Sequence, residues 1–168
     1  MEEIDWKKFA EELELLAKNK EVASSKDAAT AVEMLIGKER LSASVDYYVS
    51  ERKGSELARA VLWLLHPWSA MKRCYEIYSS SGKPEHRASA VELLRVVADK
   101  RALKWIKEFL DDPDPTIQNW GIGIVDQLIF SGRIYQEEAA QLLEVAERHS
   151  NEYVRGVAKK IKERPKDT

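Results

Sequence analysis

Apolar residues recur at intervals of three and four through almost the whole chain, and no run alternates with the period of two that a half-buried strand requires. That pattern restricts the chain to amphipathic helices. Only seven glycines and five prolines punctuate it, too few for a loop-rich or all-β fold. The periodicity predicts about ten helices, at 4–19, 25–37, 39–52, 55–66, 68–80, 84–97, 99–111, 115–131, 135–149 and 151–163. Residues 164–168, "RPKDT", read as a loose tail.

Terminal signals support these breaks. Ser24 precedes Asp27 by three residues, an approximate capping box. Asp99 and Ser150 stand where an N-cap side chain accepts a free backbone N–H. Pro67, Pro84 and Pro115 lie near helix starts, and Gly37, Gly82 and Gly132 just past apolar runs, where a left-handed residue can stop a helix.

The helices align into a repeat. The triplets Ala28/Val32/Leu35, Leu57/Val61/Leu64, His86/Ala90/Leu93, Ile117/Gly121/Ile124 and Val154/Ala158/Ile161 share one spacing, and their first members are separated by 29, 29, 31 and 37 residues. Second helices between them carry Leu41/Val45/Tyr48, Met71/Cys74/Tyr78, Leu103/Ile106/Leu110 and Leu142/Val145. Stacked helical hairpins with one continuous core are the expectation.

The stretch "RALKWIKEFLDDPDPTIQNWGIGIVDQL" resembles a HEAT-repeat junction, in which a helix ends in Leu, an Asp-Pro turn follows, and the next helix reads Val-Arg-x-x-Ala-x-x-x-Leu. "EHRASAVELL" and "YVRGVAKKI" look like that same helix, although Gln118 and Gly121 stand where the family usually has Arg and Ala. The resemblance is good over about 84–163 and weaker over 25–80. It implies a right-handed α-solenoid of stacked antiparallel hairpins, forming a single HEAT-like domain over 1–168. The first helix, 1–20, would then cap one end of the stack.

Gly121-Ile122-Gly123 does not read as a phosphate-cradling loop, because a helix-like run and not a strand precedes it. The expectation is a helix capped by Asp112 or Asp114, with Pro113 or Pro115 in its first turn. Each internal glycine costs about 1 kcal/mol of helix propensity relative to Ala. Close approach of a neighbouring helix at Gly121 would offset that cost.

The titratable residues do not assemble a catalytic set. His66, His86 and His149 fall in different repeats at no metal-ligating spacing, and read as a helix-end residue with a local role, a partly buried imidazole and a helix-end cation. Cys74 has core register, and its basic neighbours Lys72 and Arg73 point elsewhere on a helix. Asp111, Asp112 and Asp114 lack the further oxygens of an EF-hand loop, so capping and turn formation account for them. No metal and no cofactor are expected.

Charge and composition narrow the partners. Lys and Arg number 27 against 29 Asp and Glu, a formal charge of −2 that argues against duplex binding. A lone cysteine excludes an internal disulfide, the acidic amphipathic N-terminus is unlike a signal peptide, and the apolar run at 60–68 is too short to cross a bilayer. A cytoplasmic protein without membrane contact is the expectation.

The remaining signal lies on the second helices, which the resemblance places on a concave, partner-facing side. Trp68, Lys72 and Tyr75 fall on one of them, and Arg101, Lys104, Trp105 and Lys107 on the next; Lys100 also joins the basic face of that helix. The last hairpin carries Glu137, Glu138, Glu144 and Glu147 instead. Aromatic residues among charges are characteristic interface anchors, and also of half-buried helix seams. The reading is a non-enzymatic protein-binding module whose partner is another protein. The resemblance adds that free-standing bacterial HEAT-like proteins of this size include scaffolds, chaperone-like factors and immunity or antitoxin proteins that mask a toxin, so that the partner would be a toxin or a subunit of a complex. The alternative it implies is a nucleic-acid-binding or DNA glycosylase-like protein, with Trp68 and Trp105 stacking, Lys104 and Lys107 on phosphates, and Asp111 as the acidic partner. Composition leaves the oligomeric state open.

Overall fold

A computed structural model describes residues 4–14 and 24–164. It holds ten α-helices and, among the described residues, no strand: α1 (Trp6–Glu12), α2 (Ser25–Ile36), α3 (Lys38–Val49), α4 (Ser55–Leu65), α5 (Trp68–Ser80), α6 (Pro84–Val97), α7 (Ile106–Leu110), α8 (Pro115–Phe130), α9 (Ala140–Glu147) and α10 (Glu152–Lys162). No described helix is long and apolar enough to cross a membrane.

The boundaries follow local chemistry. Both bonds of the Ser24–Asp27 capping box are present, Asp99 accepts from the N–H of Arg101, and Asp114 accepts from that of Thr116. Pro84 and Pro115 occupy first helical positions, where no N–H is needed. The cap of α10 is Asn151, which accepts from the Tyr153 N–H, and not Ser150 as the sequence suggested. Gly82 does not take up a left-handed conformation; α5 ends through the extended Ser81.

Four helices depart from their expected extent, among them α3, expected to run to 52, which ends at Val49. The first, expected over 4–19, stops at Glu12, and Glu14 turns to φ 55°; residues 15–19 lie outside the described ones. Its last turn holds Glu11 and Glu12 and no basic residue, the wrong charge for that end of the helix dipole. The segments expected at 99–111 and 135–149 each begin as a 3-10 helix, over Lys100–Trp105 and Gln136–Ala139. Three residues per turn eclipse positions i and i+3. Ala102 and Trp105 therefore face inward together, which a 100° wheel does not anticipate for Trp105.

Packing follows two interleaved series. Along one, α2, α4, α6, α8 and α10 each touch the next member. Along the other, α3 packs on α5, α5 meets α7 through Tyr78 and Phe109, and α7 packs on α9. The series are joined where α3 lies on α4, α5 on α6, α7 on α8 and α9 on α10. A single apolar cluster runs from Leu41 in α3 to Ile161 in α10.

The expected register holds in α6, α8 and α10. Ala90, Leu93, Ile117, Gly121, Ile124, Val154, Ala158 and Ile161 are all buried. It fails in α4, where Leu57 and Leu64 are 71% and 69% exposed and Leu62 faces the core instead. Apolar residues surround α4 on nearly every side, so periodicity could not choose the buried face; contact with α3 and α6 chose it. Val32 and Leu35 of α2 are likewise exposed while Ala31 is buried. In α9 the inward residues are Leu143 and Ala146, one position beyond the expected Leu142 and Val145, in phase with Ala139 at the end of the 3-10 turn.

The glycine-containing segment is helical, as its context demanded. A Cβ on Gly121 would lie 2.8 Å from the Cβ of Phe109, so α7 approaches α8 at the glycine. Gly123 opens a second notch, where a Cβ would lie 2.9 Å from Cδ of Arg95.

A candidate interaction face on α5 and the α7 segment

Trp68 opens α5, Tyr75 follows on the same helical face, and Trp105 closes the 3-10 turn before α7. Positions seven apart on a helix share a face, and Trp105 fits between the two rings. Its ring centre lies 5.9 Å from that of Trp68, the planes 1° apart, and 4.5 Å from that of Tyr75, the planes 9° apart, giving a stacked ladder. The ladder continues inward from Tyr75 to Tyr78 at 6.0 Å, then edge-on to Phe109 at 4.7 Å. Trp105, 8% exposed, is thus the inner rung, and Trp68 and Tyr75 are the half-buried ones that reach the surface.

Cations cover the outer rung. The Arg101 guanidinium lies 4.6 Å from the centre of Trp68, and the Lys104 and Lys72 ammonium groups lie 5.0 and 5.7 Å from it. Lys104 also stands 4.9 Å from Trp105. Arg101 forks onto Asp99 at 2.9 and 2.8 Å. Burial pushes the Asp99 carboxyl up, but hydrogen bonds from the Arg101 side chain and backbone outweigh it and hold it below the usual range. Lys72, Lys100, Lys104 and Lys107 form no ion pair with a described residue. Of the seven residues picked out from sequence, Trp68, Lys72, Tyr75, Arg101, Lys104 and Trp105 come together; Lys107 is exposed and takes no part in the ladder.

Supporting residues hold this face in place, and sequence reasoning missed them because they come from distant positions. Glu33 of α2 accepts from the Ser69 hydroxyl at 2.8 Å and from its N–H at 3.3 Å, setting a carboxylate at the start of α5. Tyr75 donates to Glu108 at 2.8 Å, a bond that raises the phenol pKa. Asp112 is buried and accepts from Tyr78 at 3.1 Å, from the Asp114 N–H at 2.9 Å and from Arg87. Its cluster is a structural turn, as the sequence suggested; Asp111 beside it is exposed.

The other titratable residues serve as ties. His66 caps α4 with φ 47°, donates from Nδ1 to the Val97 carbonyl and accepts at Nε2 from Arg133 at 2.6 Å. This role is not local: it joins the α4–α5 corner to α6 and to the loop after α8. His149 accepts at Nδ1 from the Asn151 N–H and donates from Nε2 to the Leu110 carbonyl, so it clasps two turns. Cys74 is fully buried, which pushes its thiol pKa up and makes thiolate chemistry unfavourable. Among the described residues no group of three or more His, Cys, Asp or Glu is placed to hold a metal ion.

No family model matches the chain, and no curated protein or solved structure matches it either.

Proposed function

We propose that this chain is a non-enzymatic protein-binding module, and that the face built on Trp68, Tyr75, Lys72 and Lys104 receives an acidic segment of a protein partner. The observation that carries this reading is the stacked ladder, with lysines at its outer rung that form no ion pair with a described residue. Stacking and the Asp99 fork hold rings and Arg101 in place before binding, which lowers the ordering cost of association. A carboxylate arriving at Lys72 and Lys104 would find cations that lie over rings and pair with no carboxylate among the described residues. The two interleaved helix series are consistent with a HEAT-like right-handed solenoid, with α5 and α7 on its concave side. An immunity, antitoxin or scaffold role would use that side to mask or hold its partner.

The test is binding of a glutamate-rich peptide bearing one aromatic residue, followed by the fluorescence of the tryptophans. Saturable binding that weakens with salt, and disappears in the double variant Lys72→Glu/Lys104→Glu while circular dichroism and melting are unchanged, is the expected result. Absence of binding at low salt removes this reading. Binding of a DNA duplex in place of the peptide, lost in the same variant, replaces it with the nucleic-acid alternative.

A further inference from the structure

A second site lies on the other helix series, where α4, α6 and α8 leave a cleft of about 280 Å³ lined by Arg59, Ala60, Trp63, Arg95, Val96 and Gln127. Arg95 crosses from α6 onto α8. Its guanidinium lies 5.1 Å from the centre of the Trp120 ring, and its Cδ fills the space that a Gly123 side chain would occupy. Glycine at 123 is therefore what lets this arginine lie in the groove.

The cations here are short of carboxylate. Glu92 accepts from Tyr48 at 2.6 Å and from Arg59 at 3.0 Å, and stands 3.9 Å from Arg95. One largely buried carboxylate thus serves two guanidinium groups that are each about a third exposed. Arg59 has a second, looser contact with the exposed Glu56 at 3.7 Å. Among the described residues, the distant edge of Glu92 is the only carboxylate near Arg95, and the arginine Nε is buried with no hydrogen-bond partner. A buried donor left unmatched is costly, and a guanidinium fork matches a planar carboxylate. Beside the cations, Ala60, Val96 and the half-exposed Trp63 form an apolar wall, and Gln127 offers an amide.

We infer that this cleft binds a small carboxylate with a flat apolar body, the carboxylate meeting Arg95 and Arg59 and the body lying along Trp63. Its charge and shape come from α4, α6 and α8 alone, so it stands apart from the ladder on α5 and the α7 segment. Arg95 alone lacks a close carboxylate, a place that one monoanion fills and a phosphate dianion would overfill.

Titration of the full chain with benzoate, followed by tryptophan fluorescence and by the indole N–H resonances in NMR, tests this. The expected result is saturable binding, with benzamide silent and acetate weaker than benzoate. Arg95→Gln should weaken benzoate by about tenfold or more, the loss of a charge-assisted hydrogen bond. Trp63→Ala, at an exposed ring whose removal spares the core, should weaken benzoate and leave acetate unchanged. A short peptide with a free C-terminus, compared with its amidated form, tells whether a chain end fits as the free acid does. No saturation with benzoate, an equal response to benzamide, or unaltered binding by both variants would overturn the inference. The ladder variant Lys72→Glu/Lys104→Glu should bind benzoate normally, so failure of one site is distinguishable from failure of the other.

Discussion

Gly121 of α8 and Phe109 of α7 touch through a gap that admits no side chain: a Cβ on the glycine would stand 2.8 Å from the phenylalanine Cβ and 3.7 Å from its carbonyl carbon. Neither atom is the free end of a flexible chain. The contact joins two helices whose buried residues surround the turn at Asp112.

Gly121→Ala therefore strains the helix pair. Overpacking of a full core costs about 1–3 kcal/mol, and the helix propensity gained from alanine returns about 1 kcal/mol of it. A net loss is expected in urea denaturation. Gly123→Ala meets the movable Arg95 Cδ instead; it should leave stability nearly unchanged while displacing Arg95 from Trp120.

Asp112 and Asp111 should respond oppositely to truncation. The Asp112 carboxylate is 2% exposed and is held by Arg87, Tyr78 and the Asp114 N–H. Asp112→Ala strands Arg87 and should cost about 3–5 kcal/mol, as expected when one partner of a buried pair is removed. Asp111→Ala, at the surface, should stay within about 0.5 kcal/mol. Equal effects in chemical denaturation would mean the turn is not organised by Asp112.

His66 makes stability depend on pH. Burial disfavours its charged form; the Val97 carbonyl opposes this and Arg133 adds to it, leaving the folded pKa below its ordinary 6.5. Between the two values the unfolded chain binds more protons, so stability rises with pH across that interval. The contribution is complete above about pH 6.5 and is lost as pH falls through the folded value. Comparing melting from pH 7.5 to 5 with that of His66→Gln, the wild type should show the steeper decline. Identical slopes would remove His66 from the account.

The lysines of the ladder face should matter little to folding. Lys104 sits over two rings at an exposed site, and such contacts contribute about 0.5–1 kcal/mol. Lys107 touches no ring and should contribute almost nothing. Lys104→Glu/Lys107→Glu should unfold within about 1 kcal/mol of wild type, whereas Trp105→Ala removes an inner rung and should cost about 3–5 kcal/mol.

Much of this structure was legible in the residues. Helix positions follow from apolar spacing and caps, because amphipathic periodicity and free N–H groups are local properties; α5, α6 and α8 lie within a residue of their expected ends. The tightness at Gly121 was legible too, since a glycine inside a helix has a cost that something must offset. Six of the seven residues chosen for the candidate face meet there: spacing along α5 aligns Trp68, Lys72 and Tyr75, and the 3-10 turn brings Arg101, Lys104 and Trp105 against them.

Other features depend on contacts between distant segments. Trp105 became an inner rung because a 3-10 turn rotated it toward Trp68 and Tyr75, and no local pattern distinguishes that turn from an α-helix. The α4 residues Leu57 and Leu64 face outward because α4 is apolar all round and its neighbours selected the face. His66 reaches Arg133, and Arg59 shares Glu92 with Arg95, across long sequence separations that only packing closes. The sequence by itself determined which stretches are helical and, at α5, α6 and α8, where they end, since those choices are settled by neighbours within a turn. Tertiary structure alone decided which faces of α2, α4 and α9 are buried and which charges pair across helices, since both depend on what another helix brings to the same place.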